Sequence, residues 1–194
     1  MSELREPSKW IPEHEALYAD CRIYSVLKRR YRHPEDGREG DFFVINCNDW
    51  VQVIPVTASG EIVLVNQFRF GTQELSWEVP GGIIDAEDSS PEAGAQRELL
   101  EETGYAGGRV VNLGWCYPNP ALQSNRTHFV LIDGCEQVAG QDLDEHEEVQ
   151  IQTFPLTTAF KMLDEGHITH SIAINAFLYL RRFLKQHDRL PSSL

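Results

Sequence analysis

The segment covering residues 62–104 constrains the fold most, because it places four local signals in a fixed order. Residues 62–65 form a short apolar, mostly β-branched run that predicts a buried strand. Residues 80–82 (proline and two glycines) predict a loop, and the serine-serine-proline-glutamate run at 89–92 predicts a capped helix start. Gly104 predicts a left-handed helix end. We therefore expect a strand, a glycine loop and one acidic helix in succession.

Three carboxylates of that helix fall on one face. Glu98, Glu101 and Glu102 are spaced at i, i+3 and i+4, which are neighbouring positions on a helix surface. Like charges repel, so such a cluster is tolerable in water and becomes favourable around a divalent cation. Oxygen ligands suit hard ions such as Mg²⁺, Mn²⁺ or Ca²⁺. The sequence predicts a metal site here, and the alternative is an ordinary solvated helix face.

Residues 82–105 resemble the Nudix box, the signature of Nudix hydrolases. That pattern is a glycine, five residues, a glutamate, seven residues, and then Arg-Glu-apolar-x-Glu-Glu-x-Gly-apolar. Residues 97–105 match the second half completely. In the first half, Asp88 stands in place of the glutamate, and Arg97 follows nine rather than eight residues later. One residue is therefore inserted between Asp88 and Pro91.

The resemblance extends to the ADP-ribose and nucleoside-diphosphate-sugar pyrophosphatases of the family. Those enzymes often carry Gln-aromatic-Arg before the box, as at residues 67–69, and a proline about fifteen residues after it, as at Pro120. The resemblance implies Mg²⁺-dependent (or Mn²⁺-dependent) hydrolysis of the pyrophosphate bond in ADP-ribose or a nucleoside-diphosphate sugar. The products would be a nucleoside monophosphate and a sugar phosphate. The amide and arginine content of residues 119–126 leaves the sugar open.

The metal ligands that this resemblance implies come from the box and from a second acidic run. They are the Gly81 carbonyl and the carboxylates of Glu98, Glu101, Glu102 and Glu147. Arg97 would orient the box glutamates by a salt bridge rather than touch the substrate. In the acidic run at residues 144–148, Glu145 is the candidate general base, and Glu148 could exchange roles with it or with Glu147. The alternative for this run is a solvated loop.

Substrate contacts are expected from three residues outside the box helix. Arg69 resembles the family arginine that meets a phosphate, and its alternative is a surface salt bridge. Glu78 either hydrogen-bonds a ribose or holds the loop, and Arg126 is a candidate for a second phosphate or the sugar. His128 and His170 lack a metal-ligand pattern and are expected to be structural or exposed. Base-stacking candidates, which are core residues in the alternative, are Trp10, Trp50, Trp77, Trp115 and Tyr117.

The expected fold is α/β: a Nudix-type α/β/α sandwich with a mixed sheet and an N-terminal antiparallel β-hairpin region. We expect residues 1–48 to form this β region and residues 49–194 the Nudix hydrolase domain. Strands are also predicted at 21–31, 42–46, 50–56, 108–115 and 126–132, and helices at 156–163 and 170–183. The resemblance implies a homodimer with the N-terminal region as its dimerisation arm.

Composition limits the other functions. The formal net charge of −13 disfavours binding along a nucleic-acid backbone. No apolar signal core or membrane-length run is present, and the four cysteines form no Cys-x-x-Cys pair, so we expect a cytoplasmic protein with reduced thiols that needs no membrane partner. Two alternatives remain. One is a Nudix enzyme for a dinucleoside polyphosphate, a coenzyme or an oxidised nucleotide. The other is a non-catalytic nucleotide sensor, although such modules usually lose the box glutamates that this chain keeps.

Overall fold

Eleven strands and three helices are assigned in the computed structural model, which describes residues 6–143 and 145–191. In chain order the strands are β1 (Ile11–Asp20), β2 (Ser25–Arg32), β3 (Glu39–Asn46), β4 (Trp50–Thr57), β5 (Glu61–Arg69), β6 (Glu74–Glu78), β7 (Gly81–Ile83), β8 (Tyr105–Ala106), β9 (Arg109–Cys116), β10 (Thr127–Gln137) and β11 (Val149–Pro155). The helices are α1 (Pro91–Thr103), α2 (Leu156–Asp164) and α3 (Ser171–Gln186). They belong to two units, one made of the chain up to Asn48 with Asn119–Asn125, the other of Asp49–Pro118 and the chain from Arg126 onward.

The first unit is a three-stranded antiparallel sheet in the order β1-β2-β3. Cross-strand ion pairs connect its strands, for example Arg32 with Glu13 at 2.7 Å. The β1 strand is exposed along nearly all of its length, and Leu17 and Tyr18 are more than half exposed. Asn119–Asn125 joins this unit through a parallel bridge between Ile45 and Gln123. The sheet thus holds together by pairing and salt bridges rather than by a deep core.

The second unit is built on a mixed sheet. Its main path runs β11-β5-β4-β10-β8, with β6 paired to β5, β7 to β4 and β9 to β10. The β4–β10 pair is parallel, and the other pairs are antiparallel. Since β4 lies between β5 and β10, it forms the middle of the sheet.

Helices cover both faces of this sheet. Side chains alternate along β4, so its apolar residues point to both faces and each face needs a covering layer. Val51 and Val53 pack with Ala95 and Leu99 of α1. Ile54 and its neighbours on the other face join a larger cluster formed with α2 and α3, including the buried rings of Phe129, Phe160 and Phe177. The expected α/β/α sandwich with a mixed sheet and an antiparallel hairpin region is confirmed.

The local signals around the box helix are largely confirmed. The Ser90 side chain accepts a hydrogen bond from the Ala93 amide, and Gly104 ends α1 with φ of 71°. The glycine loop was wrong in part, since Gly81–Ile83 is a short strand that pairs with residues 50–52 of β4. Two adjacent glycines favour a loop when only the local sequence is considered. The strand forms because β4, which is distant in sequence, lies beside it in the fold. No helix in residues 6–143 or 145–191 is long and apolar enough to cross a membrane.

Candidate active site

An acidic cleft of about 550 Å³ opens beside α1 in the second unit. The three box glutamates all line it, since their spacing places them on one side of the helix. Of the residues predicted from the sequence, it brings together Arg69, Gly81, Arg97, Glu98, Glu101, Glu102 and Glu147. Its wall therefore combines the box helix, strand β7 and the connection between β10 and β11.

Glu102 is the most deeply buried of the box glutamates. Its side chain accepts a hydrogen bond from the Gly81 amide at 2.9 Å, and the residue is only 5% exposed. Burial raises the pKa of this carboxyl to about 8, the Gly81 hydrogen bond opposes that rise, and the nearby Glu98 and Glu147 charges add to it. A negative charge on Glu102 is thus disfavoured, because few positive groups near it would balance that charge.

Glu98 occupies a similar environment. Its carboxylate would lie within 2.5 Å of a Cβ atom at position 82, so only glycine leaves room for it there. Burial raises the pKa of Glu98 to about 7, although the Arg97 guanidinium works against this. Gly81 has a φ of +153°, and an added Cβ would come within 2.2 Å of the Val51 carbonyl oxygen. Gly81 therefore allows β7 to pack tightly against β4, and Gly82 leaves room for the Glu98 carboxylate.

Arg97 acts as the internal counter-charge of the box. Its Nη1 donates to Glu98 at 3.0 Å and to Glu101 at 2.9 Å. Its Nη2 donates to the Ile83 carbonyl and to Asp88 Oδ2, both at 3.0 Å. Asp88 also accepts a hydrogen bond from the Asp85 amide. The inserted residue is thus accommodated in the loop before α1, and Asp88 still reaches the arginine.

The donors fit a hard divalent cation in their chemistry. Glu98 and Glu102 are buried carboxylates whose pKa values are raised by desolvation and by mutual repulsion. A bound positive ion would offset both effects. Within the described residues, no three acidic, histidine or cysteine side chains converge on one point to hold an ion. Arg97 holds Glu98 and Glu101 instead. These two carboxylates would therefore have to turn from the arginine towards a bound ion.

The loop that carries the second acidic run is tied to the end of α1. The Gln141 side chain donates to the Glu102 carbonyl at 2.8 Å and to the Val149 carbonyl at 3.0 Å. The Asp142 amide donates to the Glu101 carbonyl at 2.9 Å. These contacts bring Glu147 to the wall of the acidic cleft.

The individual acids of this run are placed differently. Glu147 lines the acidic cleft and also a second cleft, and Glu148 lines the second cleft alone. Glu145, the predicted base, is exposed and lines neither of these two clefts. Asp144 lies outside the described residues. The geometry favours Glu147 over Glu145 for chemistry in the acidic cleft.

Arg69 lies between the two clefts. The second cleft has a volume of about 1130 Å³ and shares Gln67, Arg69 and Glu147 with the acidic cleft. Arg69 donates two hydrogen bonds to Glu78, from Nε at 2.8 Å and from Nη2 at 2.7 Å. His170 Nδ1 lies 2.6 Å from the same Glu78 carboxylate, which is fully buried. In this arrangement Glu78 holds other side chains and is not presented to a ribose.

Arg126 lies outside the acidic cleft. Its guanidinium stacks on the Trp115 ring at 4.4 Å, and its amide donates to Asp49, whose other carboxylate oxygen is 3.2 Å from His128. Trp115 and Tyr117 are nearly half exposed and meet edge to face. Trp50 and Trp77 pack against the larger core cluster, which agrees with the core alternative. Trp10, in the first unit, contacts the rings of His33 and Phe42.

Sequence reasoning missed three contributors to this region. Gln67 lines both clefts, and its place in the Gln-Phe-Arg run was the signal that could have identified it. Asp142 lines the acidic cleft, but its position depends on the backbone contact to α1. His170 meets Glu78 only through the fold, and no local pattern indicated this contact.

Comparison with known proteins identifies the family of this chain. Residues 49–176 match the NUDIX domain. An ADP-ribose pyrophosphatase of Bacillus subtilis (strain 168) is 30% identical over 132 residues, which are 68% of this chain and 71% of that protein. A GDP-mannose pyrophosphatase of Pectobacterium atrosepticum is 31% identical over 119 residues, 57% of this chain and 61% of that protein. A crystal structure of an ADP compounds hydrolase superposes with a TM-score of 0.84 at 20% identity, covering 96% of this chain and 100% of that one, so it supports the fold. The chain therefore belongs to the Nudix family of hydrolases.

Proposed function

We propose that this protein hydrolyses the pyrophosphate bond of a nucleoside diphosphate linked to a sugar. ADP-ribose or another nucleoside-diphosphate sugar is the substrate, and a nucleoside monophosphate and a sugar phosphate are the products. The main observation behind this proposal is that the two clefts adjoin at Arg69. A diphosphate bound at their junction could place its nucleoside in one cleft and its sugar in the other. The names of the similar proteins, ADP-ribose and GDP-mannose pyrophosphatases, support the same substrate class.

The acidic cleft supplies the metal ligands of this proposal. Mg²⁺ or Mn²⁺ would be held by the Gly81 carbonyl and by carboxylates of Glu98, Glu101 and Glu102, whereas Glu147, which the sequence suggested as a further ligand, takes the role of base given below. When bound, such an ion neutralises charge on the diphosphate oxygens and makes water a better nucleophile. Arg97 orients Glu98 and Glu101, to which it donates hydrogen bonds.

Two further roles complete the proposal. Arg69 presents its guanidinium to the diphosphate, since it lines both clefts. A carboxylate of the 145–148 segment takes a proton from the attacking water, and we assign this role to Glu147 rather than Glu145 because Glu147 lines the acidic cleft. Arg126, stacked on Trp115, would contact the sugar or a second phosphate only outside the acidic cleft.

We also propose a cytoplasmic homodimer in which residues 1–48 act as a dimerisation arm. The exposed apolar side chains of β1, Leu17 and Tyr18, support an association surface in the first unit. Light scattering coupled to gel filtration tests the dimer, and removal of residues 1–48 should leave a monomer. Fractionation of expressing cells tests the location.

The substrate is tested by a panel assay with product identification. Purified protein is incubated with ADP-ribose, GDP-mannose and other nucleoside-diphosphate sugars, with Mg²⁺, Mn²⁺ or a chelator. We expect a nucleoside monophosphate and a sugar phosphate, and no reaction in the chelator. Preferred cleavage of a dinucleoside polyphosphate, a coenzyme or an oxidised nucleotide would replace the proposed substrate. Binding of ADP-ribose without cleavage in either metal would indicate a sensor.

A further inference from the structure

The guanidinium of Arg69 is fixed by a fork of two hydrogen bonds. Arg69 ends β5 and Glu78 ends β6, and these neighbouring strands bring the two side chains together. Nε donates to Glu78 Oε1 and Nη2 donates to Glu78 Oε2. This bidentate geometry restricts the guanidinium in both direction and rotation. The Arg69 side chain nevertheless remains 38% exposed, and so it is available to a ligand.

The carboxylate that holds Arg69 has a second partner. His170 immediately precedes α3 and makes no side-chain cap for that helix. Its Nδ1 instead lies 2.6 Å from Glu78 Oε2, in a close polar contact without hydrogen-bond alignment, and the same oxygen accepts from Arg69 Nη2. Burial raises the pKa of Glu78, but the contacts with Arg69 and His170 outweigh burial and bring it to about 2. Glu78 is therefore an anion at neutral pH, with Arg69 and His170 on either side of its carboxylate.

Arg69 needs such an anchor because other carboxylates attract it. The charges of Glu102 and Glu147 both act on its guanidinium. If Arg69 turned towards them, it would neutralise the acidic cleft and no longer face the junction of the two clefts. The bond to Glu78 opposes this movement, and His170 limits how far the Glu78 carboxylate can rotate. The three side chains thus form one chain of contacts from α3 to the cleft junction.

We propose that His170 is a positioning residue that acts through Glu78 to hold the Arg69 guanidinium at the junction of the two clefts. This inference rests on the proposed function in one respect, namely that Arg69 meets the substrate diphosphate. It assigns Glu78 to the support of Arg69 and not to a ribose. It also gives a role to a histidine that has no metal-ligand pattern.

A double-mutant cycle tests the proposal. Steady-state kinetics with the preferred nucleoside-diphosphate sugar are measured for the wild type, His170→Ala, Arg69→Ala and the double variant. We expect His170→Ala to raise KM about tenfold, which corresponds to the loss of about one charge-assisted contact. The value of kcat should stay within about twofold of the wild type. His170 itself lines the second cleft, so the cycle separates direct contact with the substrate from action through Arg69. If His170 acts through that arginine, the double variant should be no worse than Arg69→Ala. An unchanged KM in His170→Ala, or additive effects in the double variant, would overturn the proposal.

Two further variants separate positioning from folding. His170→Asn places an amide N–H donor near the position of Nδ1, and it should reverse most of the KM increase seen in His170→Ala. His167→Ala is the matched control, since this histidine lies in the same α2–α3 connection, has a 63% exposed side chain and pairs only loosely with Glu165 at 3.6 Å. It should leave KM unchanged. A KM change in His170→Asn as large as in His170→Ala would contradict the proposal.

A second readout needs no substrate. The ¹⁵N–¹H signal of Arg69 Nε reports its hydrogen bond to Glu78 directly, and we expect slow solvent exchange in the wild type and faster exchange in His170→Ala. If the panel assay finds no substrate, the proposed function fails and this signal alone decides the positioning role. Equal exchange in the two proteins would then refute it.

Discussion

Glu78 and Glu102 are both buried glutamates of the second unit, at 0% and 5% exposure, yet their surroundings have opposite effects. Glu78 meets Arg69 and His170, and its pKa falls to about 2. Glu102 meets one backbone amide and the repulsion of Glu98 and Glu147, and its pKa rises to about 8. Burial is costly for both, and only Glu78 has its compensation built into the chain. The difference supports the proposed roles of Glu102 as a metal ligand and of Glu78 as a support for Arg69.

The largest effect is expected from removing the charge of Glu102. Glu102→Gln should lower turnover by on the order of 10³-fold, because a metal ligand is lost. The folded-state pKa of Glu102 lies above its unfolded value, so this group destabilises the metal-free protein increasingly as pH rises from about 4.5 to about 8, and the full penalty is present above that pH. The metal-free variant should therefore melt higher than the wild type at pH 8.5. Calorimetry in a chelator measures this, with Glu101→Gln as the control, since that side chain is 42% exposed.

The next largest effect is expected from replacing the general base, and it distinguishes Glu147 from Glu145 in the 145–148 segment. Glu147→Gln should lower turnover about 100-fold, as expected for loss of a general base, while KM changes little. Glu145→Gln should stay within about threefold of the wild type, because Glu145 lines neither cleft. Steady-state kinetics on both variants decide the matter. A large loss in Glu145→Gln alone would return the base to the position predicted from the sequence.

A smaller effect is expected in the acid stability of the protein. The folded-state pKa of Glu78 lies below its unfolded value of about 4.5, so its contribution is complete above that pH and is lost as pH falls towards 2. Between pH 6 and pH 3 this amounts to about 2 kcal/mol. Glu78→Gln should therefore lose less unfolding free energy over this range than the wild type does. Urea unfolding at several pH values measures the difference, and equal losses would refute the Glu78 assignment.

The smallest effect is the stabilisation by a bound ion. At a Mg²⁺ concentration ten times the dissociation constant, the wild type should gain about 1.4 kcal/mol relative to a chelator. Glu78→Gln should keep this gain, whereas Glu102→Gln should lose most of it. Thermal melts with and without Mg²⁺ test both variants. Equal gains in the two variants would remove the distinction between ligand and support.

The sequence predicted the parts of this site that depend on local spacing. The Ser90 cap, the Gly104 end and the shared face of the glutamates follow from rules within one helix, and all are present. Strand β7 could not be predicted, because its two glycines locally favour a loop and the strand depends on pairing with β4. The preference for Glu147 over Glu145 likewise depends on the contacts that tie the loop to α1.

The contact between His170 and Glu78 shows the same limit. It joins the start of α3 to the end of β6, and no spacing along the chain indicates that these ends meet. Both residues were considered from the sequence, Glu78 with two roles and His170 as structural or exposed. The fold supplies the missing relation, because it places the helix start beside the strand end.

The tight packing at Gly81 and Gly82 has a consequence for enzyme engineering. Side chains introduced at these positions would meet the Val51 carbonyl or the Glu98 carboxylate, so this wall of the acidic cleft offers no room for redesign. The second cleft is walled by the hairpin around residues 67–76 and by the loop at 146–148, where longer or shorter side chains can be exchanged. Libraries aimed at a new substrate range should therefore vary those two segments at positions other than Arg69 and Glu147, and leave the glycines untouched.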